Sequence, residues 1–375
     1  MSQTRLFQPL KVGTSALKQR IGMSPLTRYR ATDDHVPTPL MVEYYTQRAS
    51  APGTLIVTEA TFMSAAAGGY NNVPGIYNRA QIDGWRKITD AVHAKGSFIY
   101  VQLWHLGRTA EEEVATREGF KVKAPSAIQL DAKHPVPEAL TVDEIKQIVQ
   151  DYATAAKNAV EAGFDGVELH GANGYLIDQF LQDVTNERTD EYGGSIENRS
   201  RLAVEVIDSI VEAIGAEKTG IRLSPWSVFQ GMRMESSKAI AQFTDVIKKI
   251  NRHKLAYIHL IRADKPADRA TATDGTDLLD WAVELIDSPI LIANGLEPDT
   301  AKALVDDVYP NKEVVAIFGR HFIATPDLVF RISEGIKLNQ IDYTTIYAAK
   351  SPKGYTDYPF SKEFESKFGA QASLN

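Results

Sequence analysis

Short apolar runs recur along the chain, and each is followed by a longer stretch in which apolar residues return every three or four positions. The first pattern predicts buried strands and the second predicts helices with one face on a core. Eight strands are expected, at Gly22–Leu26, Thr54–Phe62, Phe98–Trp104, Gly166–His170, Gly220–Ser224, Tyr257–Ile261, Ile290–Ala293 and Val314–Phe318. Helices are expected at Leu40–Ala49, Gly84–Ala94, Thr141–Ala162, Glu197–Ile214, Ser237–Arg252, Thr276–Ile286, Pro298–Val308 and Thr325–Ile336. Thr141 and Glu144 have capping-box spacing, and Pro326 is placed to open the last helix.

Strands that read as apolar throughout, each followed by a helix, predict a parallel sheet covered by helices and closed on itself, a (β/α)8 TIM barrel. The competing architecture is an open doubly wound sheet, but no G-x-G-x-x-G turn follows the first strand. Two additions are expected. Leu6–Met23 reads as an N-terminal hairpin plug turning near Gly13–Thr14, and Arg108–Leu140 as a long excursion after strand 3. One domain over residues 1–375 accounts for the whole pattern, since barrels commonly exceed roughly 250 residues when loops are long.

Composition narrows the partners. A formal charge of −7 with no basic block gives no footprint for nucleic acid or an anionic membrane. Cysteine is absent, which excludes disulfides, thiolate nucleophiles and cysteine-held iron–sulfur clusters. No run approaches the roughly 20 apolar residues of a membrane span, and no secretory leader is visible, so a cytoplasmic protein acting on a small molecule is expected.

The chemistry concentrates where strands end. Gly166–His170 runs into Gly171-Ala172-Asn173-Gly174-Tyr175, a turn that can bring His170 and Asn173 to one side. Two neutral N–H donors there could hold a carbonyl oxygen as charge builds on it, with Tyr175 as general acid. Each residue alone is more readily a cap, a turn or a packing group; with Gln102 and Arg222 beside them the balance reverses. Arg222 lies within an otherwise apolar strand, a costly place for a cation without a partner. A reduced flavin edge would be one partner, and Glu168 or Glu59 the structural alternative. Asn294-Gly295 and Gly319-Arg320 end strands 7 and 8, where barrels often bind phosphate. His105, His259 and His321 show no ligand-like partners, and no metal site is expected.

These residues are similar to those of the Old Yellow Enzyme family, in HGANGYLIDQFLQDVTNERTDEYGGSIENRSRL above all, and in MSPLTRYRA, EYYTQRA, GGYNNVPGIY, VQLWHLGR, GIRLSPW, FGRHFIATPDL and GYTDYP. The resemblance implies a barrel with FMN at its C-terminal mouth, reduced by NADPH and reoxidised by α,β-unsaturated carbonyl compounds. Carried over by motif, Pro25, Thr27, Ala60, Gln102, His170 and Arg222 would contact the flavin, and Asn294, Gly295, Gly319 and Arg320 its phosphate region. His170 and Asn173 would bind the substrate oxygen, Tyr175 would donate the proton, and Trp104, Tyr70 and Tyr355 would line the pocket.

The chain departs from that pattern in two places. It has Ala293-Asn294-Gly295 where Ala-Gly-Asn or Ala-Gly-Gly is common, and its segment after strand 6 matches weakly. Some relatives carry Phe at the Tyr175 position and isomerise without net reduction, so Tyr175 favours a reductase over that alternative. Related barrels with an iron–sulfur cluster are excluded by the missing cysteines. The physiological substrate and the assembly, with a homodimer one option, are left open.

Overall fold

The computed structural model describes residues 4–263 and 279–369. Eight parallel strands close into a barrel: β1 (Ile21–Met23), β2 (Leu55–Phe62), β3 (Phe98–Trp104), β4 (Gly166–Gly171), β5 (Thr219–Leu223), β6 (Tyr257–Ile261), β7 (Ile290–Ala293) and β8 (Val314–Phe318). Each pairs with the next in sequence, and β8 returns to β1 through Ala316↔Ile21 and Phe318↔Met23. The helices that follow them are α1 (Pro39–Arg48), α2 (Arg79–Ala94), α3 (Val142–Glu161), α4 (Ile196–Ile214), α5 (Ser236–Asn251), α6 (Asp280–Leu285), α7 (Pro298–Ala303) and α8 (Leu328–Glu334). This is the expected (β/α)8 barrel.

Several boundaries move for local reasons. Strand β1 ends at Met23 rather than Leu26, because Pro25 has no N–H to continue a ladder. Helix α2 starts at Arg79, where Asn78 and Gln81 form a capping box that the apolar spacing does not reveal. The box expected at Thr141 and Glu144 is present. The last expected helix is divided. Arg320–Ala324 forms a short helix, Thr325 is extended as suits a residue before proline, and α8 begins after Asp327, so Pro326 lies outside it. The segment Pro298–Val308 changes from α-helix to a π turn at Leu304. Of the sixth helix, the part expected before Leu279 lies outside the described residues.

The barrel floor is built by the predicted plug. Leu10–Val12 pairs antiparallel with Ser15–Leu17 about Gly13, whose φ is +55°. A Cβ on Gly13 would sit 2.0 Å from the Glu217 carbonyl oxygen, so this turn needs glycine. Leu10, Val12 and Leu17 pack with Leu55, Tyr100, Tyr257, Leu291 and Val315 at the bottom of the barrel. Gly166 and Gly220 leave room there, since a Cβ on either would fall within 2.6 Å of the Tyr100 or Tyr257 ring.

The sequence reading expects strands that are apolar throughout, and the structure corrects this. On β3 to β6 they alternate, with Val167, Leu169 and Ile221 in the core shared with the helices, while the buried Gln102, Glu168, His170, Arg222 and His259 point inward. The excursion after β3 contains a helix at Glu112–Glu118 and a parallel pair, Lys123–Ala124 with Glu138–Ala139. Arg108 ties it to the opposite loop by donating to the Gln230 carbonyl at 2.9 Å.

Candidate active site

Strand β4 ends at Gly171, and the chain then turns sharply. Asn173 has φ +60° and Gly174 φ +75°, a left-handed bend that asparagine and glycine adopt most readily. A buried carboxylate fixes the bend. Gly174 N–H donates to Asp178 Oδ2 at 2.9 Å, Asn173 N–H donates to Ser224 Oγ at 2.8 Å, and that hydroxyl reaches Asp178 at 3.4 Å. Gln179 holds the turn from the other side, donating to the Gly174 and Leu106 carbonyls at 2.8 and 3.0 Å. Burial pushes Asp178 up to about 6, against the pull of Gln182, the Gly174 N–H and Ser224.

The bend delivers Tyr175 to the N-terminus of a short helix, Leu176–Leu181, with its ring edge-on to Trp104 at 4.7 Å and to His170 at 4.9 Å. Tyr70 meets Trp104 at 5.7 Å. His170, Tyr175, Trp104 and Tyr70 are therefore one cluster, as a shared pocket requires. Burial, reinforced by Arg222 and His259, lowers the His170 pKa well below its ordinary value, so the ring is neutral with one N–H and one lone pair. Its Nδ1 and the Trp104 Nε1 have no partner among the described residues. Burial, with Tyr70 adding to it, raises Tyr175 above the ordinary phenol range, and the hydroxyl keeps its proton.

Beneath this cluster lie Gln102, Glu168, His259 and Arg222. Gln102 Nε2 and His259 Nδ1 donate to the two oxygens of Glu168 at 2.6 and 2.8 Å. Arg222 donates to Ser24 Oγ at 3.3 Å, and its Nε is buried without a partner. The carboxylate acts on the guanidinium electrostatically, but the two share no ion pair among the described residues. His259 therefore has a partner that the sequence reading did not assign it.

A cavity of about 1360 Å³ opens beside these groups at the C-terminal ends of the strands. Pro25, Asn173, Arg222, Asn294, Gly295, Gly319 and Arg320 all line it. The Asn294 side chain is engaged elsewhere, donating to the Arg262 carbonyl at 2.8 Å, which leaves backbone and Gly295 as the groups facing the cavity there. Gly319 precedes the short helix Arg320–Ala324. Thr27 is half-buried in the loop after β1, and Ala60 pairs across to Gln102 on β3.

Tyr355 is a correction. It is fully buried, stacked on Tyr44 at 4.0 Å with the Arg28 and Arg30 guanidinium groups over its ring, and it belongs to the core behind β1 rather than to the pocket. Tyr347, from the same C-terminal segment, is 64% exposed and meets Tyr29 at 5.6 Å, which in turn meets Tyr70 at 6.4 Å. The GYTDYP motif drew attention to the wrong tyrosine. His259, Asp178 and Ser224 are site-building groups that the sequence reading does not single out, and Glu168, named there only as a structural partner for Arg222, holds Gln102 and His259 instead.

A buried cation with no carboxylate partner and a free Nε among the described residues, a glutamine fixed by a carboxylate beside it, and glycine-bearing strand ends around the cavity suit a planar hydrogen-bonding ring with a phosphate tail. No group of three or more His, Asp or Glu among the described residues could hold a metal ion. The fold and site define a barrel oxidoreductase with an organic cofactor. The chain belongs to the NADH:flavin oxidoreductase / NADH oxidase family, whose model matches residues 5–339.

A chanoclavine-I aldehyde reductase of Penicillium roqueforti is 51% identical, covering 98% of this chain and all of that one. An NADP-dependent oxidoreductase of Aspergillus flavus is 49% identical over 96% of this chain and 97% of its own. A protein of Epichloe festucae var. lolii named "probable inactive reductase" is 45% identical over the full length of both. Among solved structures, the Old Yellow Enzyme of Pichia sp. AKU4542 superposes with a TM-score of 0.89 at 38% identity, covering 96% of this chain and 95% of that one. The protein is thus a flavin oxidoreductase of the Old Yellow Enzyme type.

Proposed function

We propose that the protein uses NADPH to reduce the activated C=C bond of α,β-unsaturated aldehydes and ketones through bound FMN. The observation that carries this reading is the ring contact of a neutral His170 with a protonated Tyr175, one strand-end turn from Asn173, which lines the cavity together with Arg222.

Arg222 and Gln102 would hold the ring edge of FMN, Pro25, Thr27 and Ala60 would lie along it, and Gly295, Gly319 and Arg320 would face its phosphate. Bound there, FMN supplies the hydride acceptor and donor that the chain's own side chains lack. His170 and Asn173 bind the carbonyl oxygen, and their N–H groups stabilise the charge that grows on it. Tyr175 gives its proton to the α-carbon; its raised pKa keeps that proton on the hydroxyl until it is transferred. The aromatic walls of Trp104 and Tyr70 exclude water and orient a flat substrate. The NADPH preference is supported by the NADP-dependent relative, not by any nucleotide-binding motif in this chain.

The purified protein should be yellow, its flavin band should bleach anaerobically with NADPH, and cyclohexenone should restore it. A protein that takes up no FMN sinks the reading. Bleaching without recovery across a panel of enones and enals would favour an isomerase or a ligand-binding protein, the direction in which the relative named inactive points.

A further inference from the structure

Glu168 is a buried charge that the proposed chemistry does not use. It is fully enclosed in the barrel, as is His259 on the opposite side of its carboxylate. A lone carboxylate in such a place is strongly disfavoured, so its partners must account for it. Burial opposes ionisation, but His259, Arg222 and the Gln102 amide outweigh it and hold the carboxyl below its ordinary range. For His259 burial wins, lowering its pKa and leaving the ring neutral. This network thus holds one anion, Glu168, and one cation, Arg222, with the neutral donors Gln102 and His259 on the carboxylate.

Two geometric consequences follow from the hydrogen bonds. Because Glu168 accepts from Gln102 Nε2, the amide cannot flip, and its Oε1 is presented as an acceptor. Because Glu168 accepts from His259 Nδ1, that ring is fixed with its N–H toward the carboxylate. The register places the set on two successive inward rows: Gln102 opposite Glu168 on β4, and, two residues further along, Arg222 opposite both His170 and His259.

We propose that Glu168 is a positioning residue for the cofactor site: it fixes the Gln102 amide so that an acceptor faces the bound ring, and it offsets the Arg222 charge, tuning the redox poise of the flavin. The inference rests on the FMN reading above, in which Gln102 and Arg222 contact the ring. Removing the carboxylate charge leaves Arg222 uncompensated beside the ring, which favours the more negative, reduced form.

The test is Glu168→Gln in the FMN-loaded protein, with dissociation constants measured for oxidised and reduced FMN and the midpoint potential measured by dye equilibration. Oxidised FMN should be weakened about tenfold more than reduced FMN, equivalent to a positive shift of about 30 mV for a two-electron couple. Glu168→Asp, which restores the charge, should return the potential toward wild type. Equal weakening of both forms with an unchanged potential would mean that Glu168 only fills space, and overturns the inference. If Glu168→Gln does not fold, His259→Leu serves instead. It removes a donor that keeps the carboxylate ionised, and should shift the potential in the same direction by a smaller amount; no shift overturns the inference. Wild-type protein that binds no FMN overturns the cofactor reading and this inference together, whereas wild-type binding with a flat variant series overturns this inference alone.

Discussion

The two halves of this barrel are built on opposite terms. Strands β3 to β6 send Gln102, Glu168, His170, Arg222 and His259 inward, so one half of the interior is a polar network. Strands β7 and β8 send in Leu291, Ala293, Val315 and Ile317, which cluster with the plug, and they meet the cavity through the apolar Ala293, Ile317 and Phe318 and through the strand ends Asn294-Gly295 and Gly319-Arg320. One half offers a ligand a hydrogen-bonding network of inward side chains; the other offers apolar wall, backbone and the Arg320 cation at its rim. Substitutions should therefore have different kinds of effect in the two halves.

The largest effect is expected in the side-chain half. Tyr175→Phe keeps the ring against Trp104 and removes the proton, so enone reduction should fall by about a hundredfold or more while flavin reduction by NADPH is unchanged. Stopped-flow measurement of the two half-reactions separates them, and equal loss in both would refute the donor role.

A second effect concerns buried carboxyls. Burial pushes Glu59 up to about 7, against Arg28, Tyr45 and Arg30, and Asp178 to about 6. Unfolded, both would titrate near 4. Their folded values are raised, so the stability they contribute is fully present below about pH 4 and is lost as pH rises through 6 to 7, on the order of 2 kcal/mol for each group. Glu168, held below its ordinary range, acts with the opposite sign and only in stronger acid. Melting of the apo-protein from pH 5 to 8 should show the loss, and Glu59→Gln should flatten it; an unchanged slope in that variant would contradict the assignment.

Asp178→Ala comes next. It strips the acceptor from the buried Gly174 N–H and should cost about 1–3 kcal/mol in denaturant melts, slowing enone turnover more than flavin reduction because the bend carries Asn173 and Tyr175.

The backbone half should respond least. Gly295→Ala puts a side chain at φ +64° with no atom within 4 Å, so about 1 kcal/mol of strain is expected without a clash. Gly319→Ala meets its nearest atom at an ordinary 3.5 Å and should leave apo-protein stability unchanged. If Gly319→Ala nevertheless weakens FMN binding, the ligand itself approaches that backbone. Losses in this pair as large as that of Tyr175→Phe would erase the contrast between the halves.

The same contrast explains what the sequence could and could not disclose. The periodicities located all eight strands, because burial on both faces imposes short apolar runs, and the polar strand ends marked His170, Asn173 and Tyr175. The bend through Asn173 was readable because Asn and Gly are the residues that tolerate it. Tyr355 misled because a tyrosine near a recognisable motif carries no mark of which side of β1 it faces; stacking on Tyr44 under two arginines decided that. His259 looked solitary because its partner Glu168 is 91 residues away, joined to it only when β4, β5 and β6 pair side by side. Asp178 and Ser224 act through the turn rather than on a ligand, and no local pattern distinguishes such residues from ordinary polar ones.

The junction of β8 with β1 has a consequence for how the molecule comes into being. Ser24 and Pro25 share the cavity with Gly319 and Arg320, and Ser24 N–H donates to the Phe318 carbonyl at 2.9 Å. This wall of the cavity thus precedes the last strand by nearly the whole barrel and must wait for it before it has a partner. Arg28 and Arg30 lengthen that wait, since their guanidinium groups bind carbonyls of Thr345, Ile346, Ser351, Lys353 and Gly354. A chain cut before these residues would have all eight strands but would leave two buried guanidinium groups behind β1 without their carbonyls, so closure of the barrel and completion of that wall are separate events.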